Sequence, residues 1–375
     1  MCHSGRVKKQ GRRFLKTSRR CHQRFHCLIC HRTWSLSKKT NGFISAREKN
    51  ICRASLERGS LRILGRRYSR SRTAIMKIIH RVTKEVKDSV WAAKQYPLRW
   101  SGILAVDGKS IRVYNQLAKK LNLSKLTLLE RIHLHKKIWL CGIDYGTGDL
   151  PHYELADEET MIDLVLFFKQ LKNLNYPLRV LVSDGNEEII RAARLVYGSG
   201  FLHQLCTRHF TEGLKRKARE AGLDTDGPTG RLIYLIQQVI EAGTIVESAE
   251  KLAQLKRQRG LCSRQRELLK MFYDHLDELT THLQHPEMGI PHTTNDIENV
   301  FRQLNLRLKS LGIFGRFQYA RDYLKAWAWW RRCSPFTDCK GGRKTRNGRF
   351  PLQIACRKKL GDIDFLSPLK SNREG

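Results

Sequence analysis

Apolar residues change their rhythm along this chain. From about residue 45 to 101, and again from 207 to about 331, they recur at three- and four-residue intervals, as on one face of a helix. Between those two stretches they gather into short continuous runs, as in buried strands. Residues 45–82 predict three helices. The first runs from Ser45 to Arg58 with Ile51 and Leu56 inward, and Gly59 ends it. Ser60 caps a second that holds Leu61, Ile63 and Leu64. After a turn near Tyr68-Ser69, a third starts near Ser71 and carries Ala74, Ile75, Ile78, Ile79 and Val82. Arg70, Arg72, Lys77 and Arg81 leave its other surface basic. That suits a helix-turn-helix whose last helix enters a DNA major groove. The plainer alternative is a helical hairpin that only packs on the body. Residues 83–101 read as a helical linker ending at Tyr96-Pro97.

A strand-rich region follows. Gly102 to Asp107 is an apolar run ending in a carboxylate, Ile111 to Tyr114 fits the next strand, and Lys137 to Asp144 a third. Glu158 to Leu174 predicts an amphipathic helix. Leu178 to Asp184 is a further strand ending in a carboxylate, Asn186 caps the helix after it, and Phe201 to Leu205 closes the set. Residues 207–290 then predict helices, at Leu232–Ala242 and Arg264–Leu283, with a Gly/Asp/Pro-rich break at 222–229. Thr293-Thr294-Asn295 caps one more helix, with Ile297, Val300, Phe301, Leu304 and Leu308 as its buried stripe and Glu298 at the stripe's border. Trp327, Trp329 and Trp330 read as core or interface rather than base-stacking wedges. The tail after Arg331 is basic and irregular. The fold class is α/β.

Charge adds a partner class. The 375 residues carry 71 Lys and Arg against 35 Asp and Glu, a net of +36. The excess is segregated: +21 over residues 1–81, +2 over 82–301 and +13 over 302–375. Two basic ends around a nearly neutral body disfavour an ordinary small-metabolite enzyme and favour nucleic acid, held through phosphates. No run of about 18 apolar residues predicts a membrane span, and the basic N-terminus lacks a signal peptide's apolar stretch. The 11 cysteines are then expected as thiols or metal ligands in a reducing compartment, bacterial cytoplasm with its nucleoid or a eukaryotic nucleus.

Two groups of residues carry chemistry. Asp107 and Asp184 each end an apolar run and precede Gly, and ligand sites in α/β sheets gather at strand carboxyl ends. Either Asp-Gly alone is a common turn. Together, with Glu298 on a helix laid against the sheet, they predict an all-oxygen site for two Mg²⁺ or Mn²⁺ ions suited to phosphodiester chemistry. Asp144, also at a strand end, is the rival carboxylate. Near the N-terminus, Cys27-x-x-Cys30 between aromatic residues predicts a small zinc module over residues 1–44.

These motifs resemble the DDE transposases of the mutator-like group and related bacterial insertion-sequence transposases. The resemblance rests on Ala105-Val106-Asp107-Gly108, Val182-Ser183-Asp184-Gly185, Gln204 to His209 (QLCTRH), Thr294 to Asn299 (TNDIEN) and Asn347 to Pro351 (NGRFP), and spans about residues 1–355. It implies an RNase H-like catalytic core at 101–209 and 291–332, split by an all-helical insertion at 210–290. Before it would stand a zinc ribbon (1–44) and a helix-turn-helix with linker (45–100); after it, a basic tail (333–375). Asp107, Asp184 and Glu298 would be the metal-binding triad. Water and then the freed 3′-hydroxyl would attack phosphodiesters of the element's terminal inverted repeats and of target DNA, in a homodimer or larger assembly. Cys206-x-x-His209 matches a C-x-x-H motif of that group, binding metal or stabilising the core. Cys2-His3-Ser4-Gly5 resembles half of a zinc knuckle, with Cys2, Cys27 and Cys30 as ligands. The missing ligand lies upstream, is supplied by His3, Cys21 or His22, or the site is degenerate. The rival functions are a domesticated transposase that regulates without cutting, and a structure-specific nuclease or RNA-binding protein on the same core.

Overall fold

The computed structural model describes residues 7–15, 20–31, 33–35, 44–57, 59–113, 136–312, 314–356, 360 and 366. Cys2 and His3 lie outside them. Three antiparallel strands come first, β1 (Val7–Leu15), β2 (Arg20–Cys27) and β3 (Thr33–Ser35), in the order β1-β2-β3. The helices α1 (Ala46–Glu57), α2 (Leu61–Tyr68) and α3 (Arg72–Glu85) follow as expected. Ser60 and Ser71 accept bonds from the Ile63 and Ala74 amides, and Ser69 turns the chain in the left-handed region at φ 53°. Of the three aliphatic residues of α2, Leu61 and Leu64 are buried and Ile63 is 58% exposed. The three-helix unit also packs on the body: the His80 and Tyr319 rings stack at 3.9 Å and the Tyr323 hydroxyl donates to Ser55 O at 3.2 Å. Helix α4 (Ser89–Gln95), capped by Asp88, is the linker.

The core is a five-stranded mixed sheet in the order β6-β5-β4-β7-β8. Its strands are β4 (Ile103–Arg112), β5 (Lys136–Asp144), β6 (Tyr153–Ala156), β7 (Val180–Ser183) and β8 (Leu202–Leu205). The first three pair antiparallel, and β4-β7 and β7-β8 pair parallel. The run expected at 102–107 continues into the one expected at 111–114 as a single strand as far as Arg112, because β5 pairs with it from Leu104–Asp144 to Arg112–Lys136, and Tyr114 lies outside the described residues.

Side chains alternate across a strand, so odd and even positions of β4 serve two different cores. Ile103, Ala105 and Ile111, with Val180 and Val182, face α12 (Asn295–Leu311) and α13 (Phe317–Arg332). Leu104 and Val106, with Leu181, face α5 (Met161–Asn173) and α6 (Glu187–Tyr197). Five helices intervene before α12: α7 (Thr207–Glu220), α8 (Pro228–Ile240), α9 (Ile245–Lys256), α10 (Ser263–Asp274) and α11 (Leu276–Gln284). The helix expected over 264–283 is broken at His275, and α9 had no expectation. These helices pack a core of their own around Leu214, Ile236, Leu255 and Phe272.

Trp327 and Trp329 are fully buried. The basic tail is not wholly irregular: α14 (Pro351–Ala355) packs back on the body, where Arg99 N donates to Ala355 O. Arg343 turns inward onto Asp296 at 2.8 Å. Among the described residues no helix is long and apolar enough to cross a membrane.

Candidate active site and nucleic-acid interface

Register places the two aspartates. In the parallel pair β4-β7, Ala105 stands opposite Val182. Continuing that pairing by two residues sets Asp107 level with Asp184, just where β7 ends at Ser183. Asp107 is therefore inside a strand rather than at its end, because β5 carries β4 onward after β7 has left. Both aspartates have the parity of the residues facing α12, the helix that carries Glu298. Gly185 lets the chain leave β7 at φ +90°, and any Cβ there would meet Leu205 Cδ1 at 2.8 Å. Gly108 N donates to Asp107 Oδ1 at 2.7 Å and Asn186 N to Asp184 Oδ1 at 3.1 Å.

Burial, and next the facing Asp184 carboxylate, push the Asp107 carboxyl up to about 7. Two carboxylates that repel one another in this way fit an all-oxygen site for a hard divalent cation, which would relieve the repulsion.

Glu298 is engaged elsewhere. Its Oε2 pairs with Arg208, and its Oε1 accepts from the Thr294 hydroxyl at 3.1 Å and lies 3.7 Å from His209 Nε2. Among the described residues no three His, Cys, Asp or Glu side chains close into a metal-holding group. Thr294 is fully buried at the start of α12, yet its hydroxyl does not cap the helix as expected. It lies 3.4 Å from both Cys206 Sγ and His209 Nδ1 instead. The C-x-x-H pair thus ties the start of α7 to the start of the Glu298 helix, and Thr207 N adds a bond to His292 O. Burial raises the Cys206 thiol, but hydrogen bonds to His209 and Thr294 outweigh it and leave it below its usual value. The hydrogen bond to Cys206, followed by the charges of Cys206, Glu298 and Asp184, raises His209 to about 9, so it is an imidazolium at neutral pH.

Asp144 is a structural carboxylate. It is completely buried and accepts from Ser101 N and Oγ, Gly102 N, Tyr176 OH and Thr147 N and Oγ1, all between 2.7 and 3.2 Å. It pairs with Leu104, three residues from Asp107 along β4, about 10 Å away at ~3.3 Å per residue. A carboxylate that the sequence did not single out stands nearer. Glu159 precedes α5 rather than lying within it, accepts from Asn186 Nδ2 at 3.4 Å, and packs its Oε2 where a Gly108 Cβ would stand. Burial and Asp184 raise it too. The Gly at 108, beside a candidate ligand, was the available signal.

Cations flank the carboxylates. On one side, a cavity of about 740 Å³ between β4 and α12 is lined by Lys109, Arg112, Lys136 and Lys309. On the other, a cavity of about 400 Å³ contains Asp184, His209 and three cations of α7. Farther off, Arg70, Arg72, Lys77 and Arg81 are all exposed on the three-helix unit, although Arg81 pairs with Glu48 of α1. At the N-terminal sheet, Cys27 is buried, Cys30 half-buried, and the Cys30 amide points at Cys27 Sγ at 3.5 Å. A C-x-x-C turn arranged for a thiolate–metal centre has this form.

Compared with known proteins, the chain matches no family model, and no curated protein matches it.

Proposed function

We propose that this chain is a DNA transposase of the DDE type, binding the ends of its mobile element and catalysing metal-dependent strand cleavage and strand transfer on an RNase H-like core. The observation that carries the reading is the parallel register of β4 and β7, which, carried two residues past Ala105–Val182, sets Asp107 level with Asp184 just beyond the end of β7, with the parity of the residues that face α12. The strand order, with three antiparallel strands followed by two parallel ones and a helical insertion before the Glu-bearing helix, agrees with that core.

Asp107, Asp184 and Glu298 would hold two Mg²⁺ or Mn²⁺ ions, which supply Lewis acidity to the scissile phosphate. The chain's own residues do the rest. The cations on either side of the carboxylates align the phosphodiester for in-line attack by water or by a 3′-hydroxyl. The new O–P bond forms as the opposite P–O bond breaks; the attacking hydroxyl gives up its proton to solvent and the leaving oxygen takes one up. The imidazolium of His209 sits beside Glu298 and keeps positive charge next to the reacting phosphate. Arg70, Arg72 and Lys77 recognise the element's end, the Cys27–Cys30 turn takes Zn²⁺, and two ends are brought together by two copies of the chain.

The test is Mg²⁺- or Mn²⁺-dependent cleavage of a labelled duplex carrying the gene's own flanking ends, by wild type and Asp184→Asn. Cleavage by wild type alone is expected. The Arg208–Glu298 pair favours a second reading, a regulator that binds such ends without cutting, and tight binding with no cleavage in either protein would select it.

A further inference from the structure

Helix α7 leaves the candidate active site carrying a stripe of cations. Lys215, Arg216 and Arg219 are exposed and line one cavity with Asp184 and His209. Spacings of three and four residues put them on a single face. Arg216 also lies 3.9 Å from Glu220, and Glu212 sits at the rim of the same cavity. The seventh residue of this fourteen-residue helix is Gly213, which also lines the cavity. A glycine inside a helix is the least favourable choice after proline. Packing does not demand it here, since nothing lies within 4 Å of the place a Cβ would occupy. Its bare backbone faces open space beside the cavity that it lines.

We propose that this groove, floored by Gly213 and walled by Lys215, Arg216 and Arg219, seats the phosphodiester backbone of the DNA strand whose scissile bond reaches Asp107 and Asp184. The inference rests on the transposase reading and adds the path of the strand. A sugar-phosphate chain fits on three counts. It is a polyanion of regular charge spacing, so successive phosphates meet successive cations. It needs close approach to the protein backbone, which a glycine permits and a side chain blocks. And the groove contains Asp184, so a strand lying in it is led to that carboxylate.

The experiment uses the full chain and a duplex carrying the gene's flanking ends, with binding measured in Ca²⁺ over a range of salt and cleavage measured in Mg²⁺. Three variants are compared with wild type: Gly213→Ala, Gly213→Leu, and Lys215→Ala with Arg219→Ala. The double variant is expected to reduce the slope of log affinity against log salt by about two, one for each phosphate contact removed. Gly213→Ala is expected to raise the melting temperature, through better helix propensity, while weakening binding and cleavage. Gly213→Leu should weaken both further. An unchanged salt slope in the double variant, or Gly213→Leu binding like wild type, would overturn the inference while leaving the transposase reading intact. Wild type that binds in this groove-dependent way but never cleaves would overturn the transposase reading and leave the groove standing. A wild type that does not bind the duplex would overturn both.

Discussion

Arg208 closes an ion pair on Glu298, the one carboxylate of the candidate triad that stands on a helix rather than on the sheet. The guanidinium would compete with a divalent cation for Glu298 Oε2. Arg208→Ala is therefore expected to raise the affinity for Mn²⁺ several-fold, read by calorimetry. Both partners are partly exposed, so the loss of stability should stay at or below about 1 kcal/mol. Unchanged Mn²⁺ affinity would show that Glu298 is no ligand.

Asp107 gives the protein a pH dependence of defined sign. Its carboxyl lies near 7 in the fold, against 3.8 ordinarily. The native state therefore keeps a proton that the unfolded chain has already lost, and stability falls as pH rises from about 4 to about 7. Thermal melts without divalent ions should show that fall, and Asp107→Asn should flatten it. Divalent ions must displace the same proton. Their binding should release protons at pH 6 and few at pH 8, measurable in buffers of different ionisation enthalpy.

Thr294 joins Cys206, His209 and Glu298 through one buried hydroxyl. Thr294→Val is expected to cost about 1–3 kcal/mol, because it strips hydrogen-bonding groups of a buried partner. Thr294→Ser should recover most of it. If the bonds also aim Glu298, Thr294→Val lowers the cleavage rate more than it lowers DNA affinity, and Thr294→Ser restores the rate. Urea unfolding and single-turnover cleavage separate the two effects.

Asp144→Asn and Asp184→Asn make a contrasting pair. Asp144 takes six hydrogen bonds in a sealed site, so changing one oxygen to an amide nitrogen leaves buried donors facing a donor. The expected loss is about 3 kcal/mol or more. Asp184 is exposed and should lose cleavage with little change in melting temperature. Equal destabilisation by both would mean that Asp184 holds the fold instead.

Removing residues 1–82 is not a clean separation of DNA recognition from the core, because it uncovers the helix under His80 and Ser55. Removing residues 1–43 instead takes away the candidate zinc module and keeps Ile44, which is buried in the core. That shorter chain should melt near the wild-type temperature, lose bound zinc by elemental analysis, and bind flanking-end DNA more weakly.

Much of this architecture was readable because local signals agreed. Ser60, Ser71 and Asn186 each cap the helix expected after them, and the apolar run ending at Asp184 is a strand. What escaped depended on partners distant in sequence. Asp107 looked like a strand end because its run stops at Gly108, and only pairing with β5 shows the strand continuing. Asp144 and Asp107 have the same local pattern, an apolar run closing on a carboxylate. Antiparallel pairing places the Asp144 carboxylate toward the opposite end of β4, among backbone amides. Glu159 was hidden because helix periodicity runs on through it, whereas Thr160 caps α5 one residue later. The tail reads as basic and irregular, yet Arg343 stacks 4.1 Å above the Tyr145 ring.

The stacking of His80 on Tyr319 has a consequence for where DNA would be cut. Helix α3 is clamped to α13, with Lys325 Nζ also bonded to Lys84 O, and α13 shares a core with the helix bearing Glu298. A reader and a cutter joined by a flexible tether could sever DNA at a spread of distances from the sequence they recognise. Joined rigidly, the proposed reader and cutter would act as a ruler, and the number of base pairs from the recognised sequence to the severed bond would be set by the protein. Elements mobilised by this chain would then tolerate sequence changes between those two points far better than the insertion or deletion of a single base pair.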